Sequence, residues 1–361
     1  MADSSKLNFF PLWSLGIPVF AWLLLGAHAA FGFHGLALVL LIVALGGVVF
    51  AAVHYAEVIA HKVGEPFGTL VLAVAVTIIE VAMIVSMLLT KDNQNLAVAR
   101  DTIFSVVMIV CAGLVGLCIT VGAWKHHVQG FNIKGSTGAL SAITALAVLT
   151  MVLPVFTSLP ADSFRPVQLV FVGLASLALY ILFVLVQTVR HRDYFISEND
   201  HETPQHAKPS SKQTYAALGL LLVCLVAVVL LAKSLSPTVE QLVALADMPK
   251  PVVGLVIAGF VLLPEGMAAI RAARQNKLQT SINLAYGSVI ASIGLTIPVV
   301  AFISAGLGQT LILGLNAKDI VLLALTLLLN MFTLQTGRTT ILQGGILLIV
   351  FASFLVFSIA P

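Results

Sequence analysis

Ionised side chains are what this chain has least of. Asp, Glu, Lys and Arg make up only 9% of its 361 residues, against roughly 25% in an ordinary soluble domain. That shortage excludes a water-facing globular surface and points to an integral membrane protein. Cysteine is scarcer still: Cys111, Cys118 and Cys224 are the whole complement, and all three lie in apolar runs. An odd, buried set argues against a disulfide framework or a zinc site and leaves them as small packing residues. Short segments of period-two alternation are also missing, so the spans read as helices and not as a barrel. The formal net charge of +3 is too small to suggest a nucleic-acid partner.

What the chain has instead is hydrocarbon. Hydrophobic residues form 60% of it, gathered into runs long enough for a helix rising about 1.5 Å per residue to cross roughly 30 Å of bilayer. Eleven runs centre near Phe20, Val43, Val76, Ala112, Leu149, Leu179, Val226, Phe260, Ile293, Leu325 and Leu348. The expected fold is all-α, a polytopic membrane protein of about 11 transmembrane helices. The first run ends in "LLGAHAAFG" (24–32), whose small-residue pattern also fits a signal-peptidase site. With only Lys6 as a positive charge ahead of it, the helix is expected to be retained.

Loop charges orient the spans. With the N-terminus in the cytoplasm, Lys6, Lys62, Lys125, Lys134, Arg190, Arg192, Lys208, Lys212, Arg271, Arg274, Lys277 and Arg338 fall inside, and Lys91, Arg100, Arg165, Lys233, Lys250 and Lys318 fall outside. Twelve against six favours N-in and C-out. The longest polar stretch, "RHRDYFISENDHETPQHAKPSSKQT" (190–214), divides the chain nearly in half on the cytoplasmic side. It reads as a solvated linker between two halves, although His191, Glu198, Asp200, His201, Glu202 and His206 also have the chemistry to sense a cation or pH.

Two charges stand inside the apolar runs. Glu80, in "VTIIEVAMIV", is the fourteenth of 24 residues between Phe67 and Thr90. Glu265, in "GFVLLPEGMAAI", is the fifteenth residue counted from Pro251. A charge at the bilayer centre costs about 2.5 to 3.5 kcal/mol on insertion scales, so such groups mark an ion or proton path more often than a packing contact. Span three runs from inside to outside and span eight in the opposite sense. Two carboxylates at matching depth in oppositely directed helices are the signature of an inverted repeat, whose site lies near the midplane. The domain reading is a tail and extra helix over 1–35, a first five-helix repeat over 36–189, a linker over 190–215 and a second five-helix repeat over 216–361.

The surroundings of each Glu agree in outline. Each follows a glycine, Gly68 or Gly254, by about a dozen residues, and each precedes a span opening with polar groups, "RDTIFS" and "QTSINLAYGS". Pro264 cannot donate to the Phe260 carbonyl and Gly266 relaxes the next turn, so a helix break is expected there. A freed carbonyl beside a carboxylate is an oxygen-rich cation site. Thr77, three residues before Glu80, can add a hydroxyl, and Ser105, Ser288 and Ser292 can add more, or serve only as hydrogen-bonding glue between helices.

The stretch "AEVIAHKVGEPFGTLVLAVAVTIIEVAMIVS" (56–86), with "LPEGMAAIRAARQNKLQTSINLAYGSVIASIGLTIPVV" (263–300), resembles the paired alpha-repeats of the calcium/cation antiporter superfamily. Within it, the ChaA-type bacterial cation/proton antiporters are the nearest in pattern, and the likeness covers nearly the whole chain. The resemblance implies that the two repeats are sodium/calcium exchanger-like, that Glu80 and Glu265 are the transport carboxylates, and that the membrane is the bacterial inner membrane. It also implies a cytoplasmic-side proton relay at Glu57, which reads equally well as an interfacial residue paired with His61 or Lys62. His54, Glu57 and His61 have the spacing of one helix face. The chain departs from proton/calcium exchangers in one respect: Val76 and Thr77, and Leu262 with Leu263, stand where those carry Gly-Asn, and Ala291 replaces a glutamine. Fewer neutral oxygens weaken the case for Ca²⁺, which takes six to eight, and leave room for Na⁺ or K⁺.

The expected function is therefore secondary antiport of Ca²⁺, Na⁺ or K⁺ against H⁺, with the lipid bilayer, inorganic cations and protons as partners and no cofactor. A passive cation channel using the same carboxylates as a filter is the alternative. No nucleophile, triad or HExxH pattern points to an enzyme.

Overall fold

A computed structural model describes residues 9–31, 36–63, 67–88, 97–157, 163–195, 209–245, 249, 251–307 and 311–360. Their backbone is almost wholly helical, as a bilayer requires of a chain that must satisfy its own N–H and C=O groups. The helices are α1 (Leu12–Phe31), α2 (Leu36–Val63), α3 (Phe67–Leu88), α4 (Val98–His126), α5 (Ile133–Thr157), α6 (Pro166–Arg190), α7 (Ser211–Leu245), α8 (Pro251–Arg274), α9 (Leu278–Leu307), α10 (Ala317–Gln335) and α11 (Ile341–Ile359). Each expected span centre falls inside one of them. Ten have the length and apolarity of a membrane crossing; the eleventh, α3, holds a shorter apolar stretch, Ala73–Val85.

Helix ends follow local chemistry. Asn132 caps α5 by accepting from the Lys134 N–H at 3.0 Å, and Asn316 caps α10 through the Asp319 N–H at 2.9 Å. Pro166, whose missing N–H is harmless in a first turn, opens α6, with the Gln168 side chain accepting from the Arg165 N–H at 3.0 Å. Of the polar stretch between the halves, residues 196–208, with Glu198, Asp200, His201, Glu202 and His206, lie outside the described residues. Its start is ordered: His191 stacks on Tyr194 with ring centroids 4.9 Å apart, and the Lys134 ammonium stands 5.2 Å from the Tyr194 ring.

The residues group into two compact units, Met1–Met83 with Glu202–Thr238, and Ile84–His201 with Val239–Pro361. In the first, α1 packs on α2. The fully buried Tyr55 donates its hydroxyl to the Ser14 carbonyl at 2.6 Å, and the His54 ring meets the Phe9 carbonyl at 3.1 Å.

In the second unit, α4 is innermost, with 89% of its apolar window buried. Lipid tails are as apolar as leucine, so helices associate here through close packing and interhelical hydrogen bonds. Gly254 shows how close: a Cβ there would stand 2.8 Å from the Asp101 carbonyl carbon and the Thr102 nitrogen, so α8 lies backbone to backbone on α4. Gly116 and Gly344 bring α4 and α11 together in the same way, since a Cβ on Gly344 would lie 2.8 Å from the Gly116 oxygen.

The connectors of this unit gather at two opposite ends. At one, β1 (Gln129–Gly130) pairs antiparallel with β2 (Arg338–Thr339). There the Gln129 amide donates to the Ala273 carbonyl at 2.9 Å and to Asn276 Oδ1 at 3.0 Å, and the Asn283 amide donates to the Phe195 carbonyl. At the other end, Ser163 bridges Ile312, Arg100 donates to the Gly314 carbonyl at 3.0 Å, and the Leu315 N–H reaches the Met151 carbonyl at 2.9 Å. Successive connectors of this unit thus gather at alternate ends, held there by hydrogen bonds between segments far apart in sequence.

Candidate ion-transport site

Both intramembrane carboxylates are buried: Glu80 is 3% exposed and Glu265 4%. Glu80 sits on α3 in the first unit, one turn beyond Thr77, which is also buried. The Thr77 hydroxyl donates to the Ala73 carbonyl of its own helix at 2.8 Å. That fixes its proton and leaves its lone pairs for an incoming donor or cation.

Glu265 sits on α8 in the second unit, where Ser288 of α9 places its hydroxyl 3.5 Å from Oε1. The contact is long for an O–H···O bond, and the same oxygen can donate to the carboxylate or turn a lone pair to a cation. Ser105 on α4 and Ser292 on α9 are buried in the same unit.

The expected helix break does not occur. α8 runs without interruption from Pro251 to Arg274, through Pro264 and Gly266. Neighbouring helices brace it: α4 packs along it, and a Cβ on Gly266 would lie 3.7 Å from the Leu114 side chain. Proline therefore withholds one N–H from the Phe260 carbonyl without ending the helix, as buried membrane helices tolerate. The Phe260 carbonyl, one turn before Pro264, is left without that helical N–H partner.

Glu57 lies on an exposed face of α2, as does His61. His54 turns instead toward α1, its ring 5.1 Å from that of Trp13. Among the described residues no three His, Cys, Asp or Glu side chains cluster as a metal site would require. The three cysteines are free and buried.

Two residues that composition and spacing left unnoticed also belong to this region. Tyr286 on α9 and Asn330 on α10 are both fully buried, and the Tyr286 hydroxyl donates to Asn330 Oδ1 at 2.7 Å. The signal was available, since an Asn within "LTLLLNMF" is a polar group inside an apolar run. A feature with no sequence signal lies beside it: α4 widens into a π turn over Ile109–Leu114, where the Val115 N–H reaches back to Val110. Such turns recur at functional sites.

Apolar spans that pack through glycines and bury polar side chains and two carboxylates define a polytopic helical membrane protein, and its family makes it a membrane transporter of inorganic cations of the exchanger class. The sodium/calcium exchanger protein family matches residues 30–189 and 216–360, and the chain belongs to it. The chain is 46% identical to the y4hA protein of Sinorhizobium fredii, named as an ionic transporter, over 97% of each chain. It is 36% identical to the sodium-potassium/proton antiporter ChaA of Escherichia coli, over 85% of this chain and 84% of that one. Its fold matches the crystal structure of the H⁺/Ca²⁺ exchanger CAX with a TM-score of 0.72 at 15% identity, covering 96% of this chain and 88% of that one.

Proposed function

We propose that this exchanger expels cytoplasmic Ca²⁺, Na⁺ or K⁺ in return for protons, with Glu80 and Glu265 as the carboxylates that bind both by turns. The observation that carries the reading is the burial of these two acids inside apolar helices, each with a hydroxyl on hand: Thr77 one turn before Glu80, and Ser288 at 3.5 Å from Glu265. An ionised carboxylate held away from water must be neutralised. Two such charges are balanced by one divalent cation, by one monovalent cation with a proton, or by two protons. Forms left with net charge face a barrier of several kcal/mol to passing through a dry, closed state. Cation exit is therefore tied to proton entry by alternating access. Ser105, Ser292 and the Phe260 carbonyl supply further oxygens, and Glu57 feeds protons from the cytoplasmic side. The likeness to ChaA supports this reading, as does a charge count that favours an N-terminus in the cytoplasm and a C-terminus in the periplasm of a bacterial inner membrane.

Everted membrane vesicles with a pH-sensitive quenched dye test it, with Na⁺, K⁺ and Ca²⁺ added in turn from neutral to alkaline pH. Cation-dependent proton movement against an imposed gradient supports antiport. Dissipation of both gradients without coupling would show the channel instead. Glu80→Gln and Glu265→Gln each abolish the coupled movement while the protein still accumulates; wild-type exchange in either variant would refute the assignment of that carboxylate.

A further inference from the structure

Asn330 lies fully buried in α10 with both halves of its amide in use. Its Nδ2 donates to the Cys111 carbonyl at 3.0 Å and to the Thr326 carbonyl at 2.8 Å, while Oδ1 accepts from the Tyr286 hydroxyl at 2.7 Å. One turn earlier on α10, the buried Thr326 hydroxyl points at the Met108 sulfur at 3.5 Å. Helix α10 thus grips α4 at two points, one just ahead of the π turn and one within it. A π turn replaces the regular i→i+4 ladder, and the carbonyls it tilts outward can accept from another helix. Asn330 fills that role at Cys111.

Two rigid routes lead from Asn330 to Glu265. The first passes through α9, because Tyr286 and Ser288 stand two residues, about 200°, apart on the helix. One face of α9 is therefore fastened to Asn330, and the opposite face presents Ser288 to the Glu265 carboxylate. The second passes through the π turn: Cys111 accepts from Asn330, and three residues on, Leu114 packs against Gly266, the neighbour of Glu265. Both routes end on one turn of α8.

We propose that Asn330 is a positioning residue for the Glu265 carboxylate, tying α9 and the π turn of α4 to α10 so that Ser288 and Leu114 hold that turn of α8 in one arrangement. Asn330 touches neither cation nor proton. It acts through Tyr286 and Cys111, and the proposal rests on the reading of Glu265 as a carboxyl that exchanges cation for proton. A residue that only filled space would be replaceable by leucine without effect on Glu265.

The test uses the full chain in proteoliposomes and a hydrophobic carbodiimide, which modifies protonated carboxyls in apolar surroundings. Modification of Glu265 is followed by peptide mass spectrometry across pH. Asn330→Leu keeps the branching at Cγ, with bulkier methyl groups, and removes all three hydrogen bonds, whereas Tyr286→Phe removes only the one onto Oδ1 and adds no bulk. The expected result is a Glu265 labelling midpoint displaced by about one pH unit in Asn330→Leu, a tenfold change in proton affinity, with a smaller displacement of the same sign in Tyr286→Phe. If Asn330→Leu fails to accumulate, Tyr286→Phe decides alone. A wild-type midpoint in the variants that accumulate would overturn the proposal. The antiport reading fails separately, if wild-type vesicles show no cation-coupled proton flux while the labelling still distinguishes the variants.

Discussion

The Ser288 hydroxyl stands 3.5 Å from Glu265 Oε1, across the contact between α9 and α8. It joins a neutral oxygen to a buried carboxylate, the pairing a dehydrated cation requires when it leaves its water shell. Ser288→Ala removes the hydroxyl that the proposed site offers a cation and leaves the carboxylate. The expected outcome is coupled transport with an apparent cation affinity weakened by about three- to tenfold, the equivalent of one net hydrogen bond. Initial rates against cation concentration in everted vesicles measure it, and an unchanged half-saturation would remove Ser288 from the site.

Thr77 makes a sharper comparison, because its hydroxyl proton is committed to the Ala73 carbonyl. Thr77→Ser keeps both the back-bond and the lone pairs, and it should transport as the wild type does. Thr77→Val keeps the shape and loses the oxygen, and its apparent cation affinity should fall by about the same factor as that of Ser288→Ala. Equal transport by the two variants would make Thr77 a packing residue.

Gly254 is a steric prediction. A side chain there meets the backbone of Asp101 and Thr102 at 2.8 Å, and neither can move without displacing the start of α4. Gly254→Val should separate α8 from α4 at a cost of about 1 to 3 kcal/mol, the usual range for overpacking. Thermal unfolding in detergent should show a lowered midpoint, and an unchanged midpoint would mean that the two helices do not approach as closely as described.

Gln129 tests the knot between connectors. Its buried amide binds the Ala273 carbonyl and Asn276 Oδ1, tying β1 to the end of the helix that carries Glu265. Gln129→Leu leaves both acceptors without that donor and should destabilise the protein by about 1 to 3 kcal/mol. Accumulation and the detergent unfolding midpoint report it, and stability equal to the wild type would refute the role.

Sidedness is open to direct chemistry. The native cysteines are buried, so a membrane-impermeant maleimide should leave the intact protein unlabelled. Cysteines introduced at Lys277, in the connector between α8 and α9, and at Lys318, in the first turn of α10, are assigned to opposite faces and should label from opposite sides: Lys277→Cys in everted vesicles and Lys318→Cys in intact cells. Labelling of both from one side would contradict the alternation of spans.

Much of the architecture was legible because lipid imposes it. A bilayer admits few ionised groups and no unsatisfied backbone, so the eleven apolar runs could only be helices, and each of them is one. The same severity made Glu80 and Glu265 conspicuous: an acid inside an apolar run has so few structural uses that position alone singles it out. The proposed direction of the helices rests on a different argument, that basic residues collect on the cytoplasmic side of a membrane.

Other features depended on contacts made across the fold. From the sequence, Pro264 and Gly266 read as a break, because an isolated helix loses a hydrogen bond and gains a clash at proline. With α4 and Leu114 packed against it, the helix continues. The π turn at Ile109–Leu114 leaves no trace in composition, because an apolar run reads the same at 3.6 residues per turn as at a wider pitch. Asn330 was visible as a polar residue in a span, but its partners, the Tyr286 hydroxyl and the Cys111 carbonyl, lie 44 and 219 residues away. The sequence by itself determined that the chain is a set of membrane-spanning helices and which acids lie within their apolar runs, because both follow from the transfer free energies of single residues. Which hydroxyl meets Glu265, and what holds that turn of α8 in place, depends on which helices come to lie side by side, and only the tertiary structure decided that.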